Sequence, residues 1–164
     1  MRLGHAAVFL GLAWASAGPA HAQERPHAGP EVKVGVVGGP ISIGATGEAA
    51  FRVSFEVPPG HHGYLDRGDS GFLIPFTFSF PALEERGAKV TVASGPRGVR
   101  DDKFRATVLR GAGEFAFRLE TGTRIPAGAS LPASLRYQIC NDVTNLCYSP
   151  RRAEIPLRFA GASR

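Results

Sequence analysis

Apolar residues recur at every second position along much of this chain, the period of a strand that buries one face. The clearest run covers residues 49–57, where Phe51, Val53, Phe55 and Val57 share one face and Arg52, Ser54 and Glu56 the other. Val32, Val34 and Val36 show the same alternation upstream, and Ile41 and Ile43 form a shorter run between glycine-rich turns. Residues 72–80 alternate through Ile74, Phe76, Phe78 and Phe80, with Pro75 marking an edge strand or a bulge. Residues 89–93 predict a short strand, and 104–109 with 114–119 predict a hairpin around Gly111-Ala112-Gly113. Leu135, Tyr137 and Ile139 form the inward set of the next strand, and Ile155, Leu157 and Phe159 that of the last. Residues 61–70 and 94–102 are polar and glycine-containing and read as loops. No segment sustains a helical period beyond two turns. About nine short strands with turn signals every 8–12 residues predict an all-β, antiparallel β-sandwich. A small barrel is the alternative.

The first residues follow a different pattern. Arg2, an apolar stretch over 6–17 and the small-x-small triplet Ala20-His21-Ala22 predict a signal peptide over 1–22, cleaved after Ala22. That stretch is shorter than the about 20 residues of a membrane span, and no later one reaches that length. The mature chain is therefore expected to be exported, with no transmembrane span. A flexible leader over 23–30, one domain over 31–160 and a tail over 161–164 complete the expected organisation.

Cleavage would leave 142 residues that keep 18 of the 19 basic and all 14 acidic side chains, a net charge of +4. The basic residues are scattered, without the dense stripe that nucleic acid requires, so no nucleic-acid partner is expected. Two cysteines in an exported chain can persist as a disulfide. One bridge does not build a scaffold of this length, so the hydrophobic core must carry the fold.

Cys140 and Cys147 are both cysteines of the chain, with the polar, turn-prone residues 141–146 between them. A tight turn there sets the two facing each other across an antiparallel pair, within disulfide range. Closing a loop of eight residues stabilises by about 2.5 kcal/mol, near the bottom of the usual range. Strand parity groups Cys140 with Arg136 and Gln138, on the more polar face, open to a partner thiol. Arg151 and Arg152 follow Cys147 closely, and nearby cations favour a thiolate. Residue chemistry alone leaves a redox-exchanging pair and a structural hairpin staple equally open.

The flanking residues add a family likeness. Tyr137-Gln138-x-Cys140, a short polar turn, Cys147-Tyr148-x-Pro150 and a closing strand through Glu154-Ile155-Pro156-Leu157 resemble the N-terminal periplasmic domain of the thiol:disulfide interchange protein DsbD family. Val57-Pro58-Pro59-Gly60-His61 and Asp101-Asp102-Lys103-Phe104 are similar to its Pro-Gly turn and its cap segment. The spacing between the cysteines is one residue longer than in its best-known members. The resemblance implies an immunoglobulin-like sandwich in the periplasm that passes electrons from a membrane thiol reductase to thioredoxin-fold proteins. It implies that Cys147 forms the mixed disulfide, that Cys140 resolves it, and that Phe104 is a lid over the sulfurs. Tyr64 and Asp102 would line the site. Because the reductase would be a separate protein, the other expectation is a non-catalytic binding or assembly module with a structural hairpin disulfide.

Other residues read more plainly. His61 and His62 could hold a periplasmic metal such as copper, but adjacent residues of an extended segment point to opposite sides and no third His lies in the expected folded core. A solvated loop is the better reading, and any metal role is left undecided by the sequence. Asp66, Asp69, Asp101 and Asp102 lack calcium-loop spacing and read as turn residues. Ser70 and Ser94 lack a base for nucleophilic catalysis. Gly38-Gly39-Pro40 is followed by neither Lys-Ser/Thr nor a helix, so it is no phosphate loop. The phenylalanines at period two read as core. No cofactor and no metal are expected.

Overall fold

The main alternating runs become strands that bury their apolar faces in a large core and a smaller second one. The structure, a computed structural model, describes residues 29–160, so the expected signal peptide, most of the leader and the tail lie outside the described residues. The strands are β1 (Lys33–Val37), β2 (Glu48–Glu56), β3 (His61–Tyr64), β4 (Thr77–Ser79), β5 (Lys89–Ser94), β6 (Val99–Asp101), β7 (Ala106–Leu109), β8 (Ala112–Glu120), β9 (Ser130–Tyr137), β10 (Ile139–Asn141) and β11 (Arg151–Arg158), with one short helix, α1 (Pro81–Glu84). All strand pairings are antiparallel and form three sheets, ordered β1-β2-β8-β5, β10-β3-β7-β6 and β11-β9-β4. The result is an immunoglobulin-like antiparallel β-sandwich, as expected.

The first sheet packs against the three-stranded one across the main core. Phe51 and Val53 of β2 and Phe115, Phe117 and Leu119 of β8 meet Leu135 and Tyr137 of β9 and Ile155 and Leu157 of β11. Phe51 faces Phe117 across the β2–β8 ladder and stacks on it at 5.2 Å. Phe78 on edge strand β4 closes the layer edge-on against Phe115 and Phe117, each at 5.0 Å. Such pairs add about 0.5–1.5 kcal/mol each beyond the area they bury.

Several local expectations are corrected. Residues 104–119 do not form a hairpin: β7 pairs with β3 and β6, whereas β8 pairs with β2 and β5. The chain changes sheets at Arg110-Gly111 because the two runs bury their faces in different cores, and alternation alone cannot distinguish a hairpin from such a crossing. Residues 72–80 are strand only over Thr77–Ser79, and Phe72 is 85% exposed. Pro75, which has no N–H to donate, interrupts the run. The expected loop over 61–70 begins with strand β3, and the one over 94–102 contains β6. Gly63 of β3 allows a close approach, since a Cβ there would lie 2.5 Å from the Phe76 ring.

The largest correction concerns Cys140. It is fully buried rather than set on an open polar face. β9 ends at Tyr137 and β10 begins at Ile139 in a different sheet, so the inward set Leu135, Tyr137 and Ile139 continues while the opposite face, open along β9, is covered along β10. Ile139 then enters the main core while Cys140 enters a second, smaller one with Tyr64, Leu73, Ala106 and Val108. Both faces of β10 are buried, which parity counted from β9 does not reveal.

Candidate functional site

The second core is built on β3, β7 and β10. Cys140 sits opposite His62 in the β10–β3 ladder, and the turn after β10 brings Cys147 back to face it. The two are joined as a disulfide, with Cα atoms 3.9 Å apart. The hairpin is closed by backbone bonds: Asn141 N–H donates to Leu146 O (2.9 Å) and Tyr148 N–H to Ile139 O (3.0 Å). Asn141 Oδ1 accepts from the N–H groups of Val143 and Thr144, both at 2.9 Å, and Asn145 takes a left-handed φ of 56°. Asn tolerates that region better than most residues, which fits the sequence to the turn.

The two sulfurs differ in access. Cys140 is enclosed, whereas Cys147 is only partly buried at the rim of the small core. Val143 and Leu146 lie exposed on the same turn, beside Cys147. Arg151 is engaged elsewhere: its guanidinium donates to Gly29 O and pairs with Glu31.

Phe104 covers the small core from a turn following β6. Asp101 Oδ1 holds that turn by accepting from the N–H groups of Lys103 (3.0 Å) and Phe104 (3.2 Å). The Phe104 ring packs on the small core, its centroid 5.7 Å from His62 and 6.0 Å from Tyr64. Asp102 lies exposed on the same turn, and it is Asp101 whose carboxylate shapes the cap. Asp66 ties the loop after β3 to β7 by accepting from Gly68 N–H (2.9 Å) and Thr107 N–H (3.0 Å). Burial raises the Asp66 carboxyl, but its hydrogen bonds from Thr107 and Gly68 outweigh that and hold it below the usual carboxylate range.

Tyr64 is buried with its hydroxyl 3.2 Å from Cys140 Sγ and 3.9 Å from Cys147 Sγ. Burial pushes its phenol up to about 12; Asp101 and Asp142 push the same way, and Arg110 opposes them. Behind Tyr64 stands His62, only 1% exposed, its Nε2 3.0 Å from the Tyr64 hydroxyl and its Nδ1 2.7 Å from Asp142 Oδ1. Arg110 donates to the same Asp142 oxygen through Nε (3.2 Å), and its Nη2 forms an ion pair with that oxygen at 3.1 Å. Burial raises the Asp142 carboxyl, yet hydrogen bonds and charge from His62 and Arg110 leave it below its ordinary value.

His62 was read from sequence as part of a solvated loop, and Asp142 and Arg110 were not singled out. One signal was available: His62 stands two residues before Tyr64, on the same face of any extended segment. His61 points the other way, with Nε2 3.3 Å from the Tyr148 hydroxyl. Among the described residues no group of three or more His, Cys, Asp or Glu side chains converges as a metal site, and no helix is long and apolar enough to cross a membrane.

No curated protein matches the chain. Among solved structures it is similar to the N-terminal domain of DsbD from Neisseria meningitidis in the reduced form, with 18% identity over 74% of this chain and 83% of that one and a TM-score of 0.44. It is more distantly similar to BcpA, the major pilin subunit of Bacillus cereus, with 8% identity over 80% of this chain and 40% of that one and a TM-score of 0.35. The family described as thiol:disulfide interchange protein DsbD, N-terminal, matches residues 38–158, a span that holds the cysteine hairpin, Tyr64 and the Phe104 turn, and the chain belongs to that family.

Proposed function

We propose that this domain carries out thiol–disulfide exchange through Cys140 and Cys147 in the periplasm, passing reducing equivalents from a membrane thiol reductase to thioredoxin-fold partners. The observation that carries the reading is the asymmetry of the pair: Cys147 at the rim, Cys140 enclosed behind it. Exchange requires in-line access to one sulfur, and only Cys147 offers it. In the reduced domain the Cys147 thiolate attacks a partner disulfide and forms a mixed disulfide. Cys140 then attacks Cys147 Sγ, restores the internal bridge and releases the partner as a thiolate. The membrane reductase returns two electrons to the pair. Phe104 acts as a lid that keeps stray oxidants from the dithiol until a partner displaces it, Tyr64 lines the site beneath it, and Asp102 lies at the rim that a partner meets.

A Cys140→Ala variant of the full chain should accumulate a mixed disulfide through Cys147 when mixed with an oxidised thioredoxin-fold protein. The Cys140–Cys147 reduction potential should lie above about −300 mV. A lower potential, together with no trapped species, would identify a structural staple in a binding module.

A further inference from the structure

We propose that Tyr64, His62 and Asp142 form a proton relay that deprotonates Cys140 for the resolving step, with Tyr64 as the catalytic residue at the sulfur and His62 and Asp142 as positioning residues acting through it. The inference rests on the exchange reading above and assigns the means by which its buried thiol is activated.

The need arises from burial. A thiol in apolar surroundings resists losing its proton, and only the thiolate attacks a disulfide. Cys140 is fully enclosed, so water cannot serve as its base, whereas the Tyr64 hydroxyl stands 3.2 Å from its sulfur. Donors and acceptors then order themselves. A carboxylate only accepts, so His62 Nδ1 carries a proton and donates to Asp142 Oδ1 at 2.7 Å. In the neutral ring Nε2 is therefore an acceptor, and the Tyr64 hydroxyl 3.0 Å away can donate to it. In the disulfide the Tyr64 O–H donates to Cys140 Sγ; in the reduced domain, where Cys140 carries its own proton, the hydroxyl turns to Nε2 and its oxygen accepts from the S–H.

In the reduced domain this gives one directed chain: Cys140 S–H to Tyr64 Oη, Tyr64 O–H to His62 Nε2, His62 Nδ1–H to Asp142. When the proton of Cys140 moves to Tyr64 Oη, the Tyr64 proton moves to His62 Nε2. Cys140 becomes a thiolate, Tyr64 stays neutral, and His62 becomes an imidazolium against the Asp142 carboxylate. The thiolate forms the bond to Cys147 Sγ as the Cys147–partner bond breaks, and the partner leaves with the electron pair as a thiolate. His62 afterwards loses its proton to water.

The charges around the relay come from several elements. Asp142 follows β10, Arg110 follows β7 and donates to Asp142, Asp101 ends β6 with a carboxylate oxygen 3.8 Å from Arg110 Nη2, and Lys103 lies in the cap turn over Phe104. Arg110 holds Asp142 ionised and shares its charge with Asp101, so an imidazolium at His62 meets a carboxylate already fixed in place.

The test uses the reduced full chain and the chromogenic disulfide 5,5′-dithiobis(2-nitrobenzoate). Attack by Cys147 releases a first thionitrobenzoate in a bimolecular phase, and resolution by Cys140 releases a second in a unimolecular one. His62→Gln should slow the second phase at least tenfold at neutral pH and leave the first unchanged. Its second-phase rate should rise by about a decade per pH unit, as when hydroxide takes the proton, with a shallower rise in the unsubstituted protein. Asp142→Asn should show the same split to a smaller degree and covers the case in which His62→Gln does not fold. A wild-type second-phase rate and pH slope in a folded variant would overturn the relay while leaving exchange intact. Absence of a first phase in the unsubstituted protein would instead overturn the exchange reading, and the relay with it.

Discussion

The two cores of this domain are made of different chemistry. The main core is a lattice of aromatic and aliphatic side chains in which phenylalanines from β2, β4 and β8 pack on one another, and the buried Tyr137 hydroxyl within it is satisfied by Val32 N–H. The second core is small, and a disulfide sulfur, a phenol and an imidazole meet inside it. Every buried side-chain nitrogen and oxygen among the described residues has a partner, so the polar line through the second core is fully satisfied. Stability is concentrated where the side chains are inert, and reactivity where they are few and hydrogen-bonded. If the pair exchanges as proposed, this separation would let the bond open and close without disturbing the packing that holds the sandwich.

That contrast can be broken from either side. Phe117→Ala, in the centre of the main core, should destabilise by about 3–5 kcal/mol in chemical denaturation. In the protein that remains folded it should leave the Cys140–Cys147 potential unchanged. A shifted potential would show that the cores are coupled.

Tyr64→Phe tests the second core through pH. The native phenol titrates at about 12 and an unfolded one near 10, so the native state favours the protonated form. Its contribution is fully present below about pH 10 and is lost as pH rises toward 12. The unsubstituted domain should lose about 2 kcal/mol over that window, and Tyr64→Phe should lose less. Equal alkaline slopes for both would show that the hydroxyl is not held as described.

Phe104→Ala should have the smallest effect on stability, about 1 kcal/mol for a partly buried ring. It should speed alkylation of the reduced cysteines severalfold, and unchanged alkylation would remove the lid role.

Much of the fold was readable from alternation. β2, β8 and β11 run close to the expected positions, and Leu135, Tyr137, Ile139, Ile155, Leu157 and Phe159 all point inward as read. These runs are long and regular, and burying one face of an alternating strand is a local property. β3 and β6 escaped because they are short and carry His, Gly, Arg and Asp, residues that also make loops. Of the site, the cysteines, Tyr64 and Phe104 were named from sequence and stand together around the disulfide. His62 was named but misread, because the residues that bury it come from β10 and from the cap turn.

The sequence by itself determined an all-β chain with one cysteine hairpin, since strand period, turn residues and cysteine spacing are local. The tertiary structure decided which sheet each run joins, and with that the burial of Cys140 and the line from Arg110 through Asp142 and His62 to Tyr64. His62 and Asp142 are 80 residues apart in the chain. Only the β10–β3 pairing brings them within hydrogen-bond distance, and pairing between distant strands depends on the whole core rather than on any segment read alone.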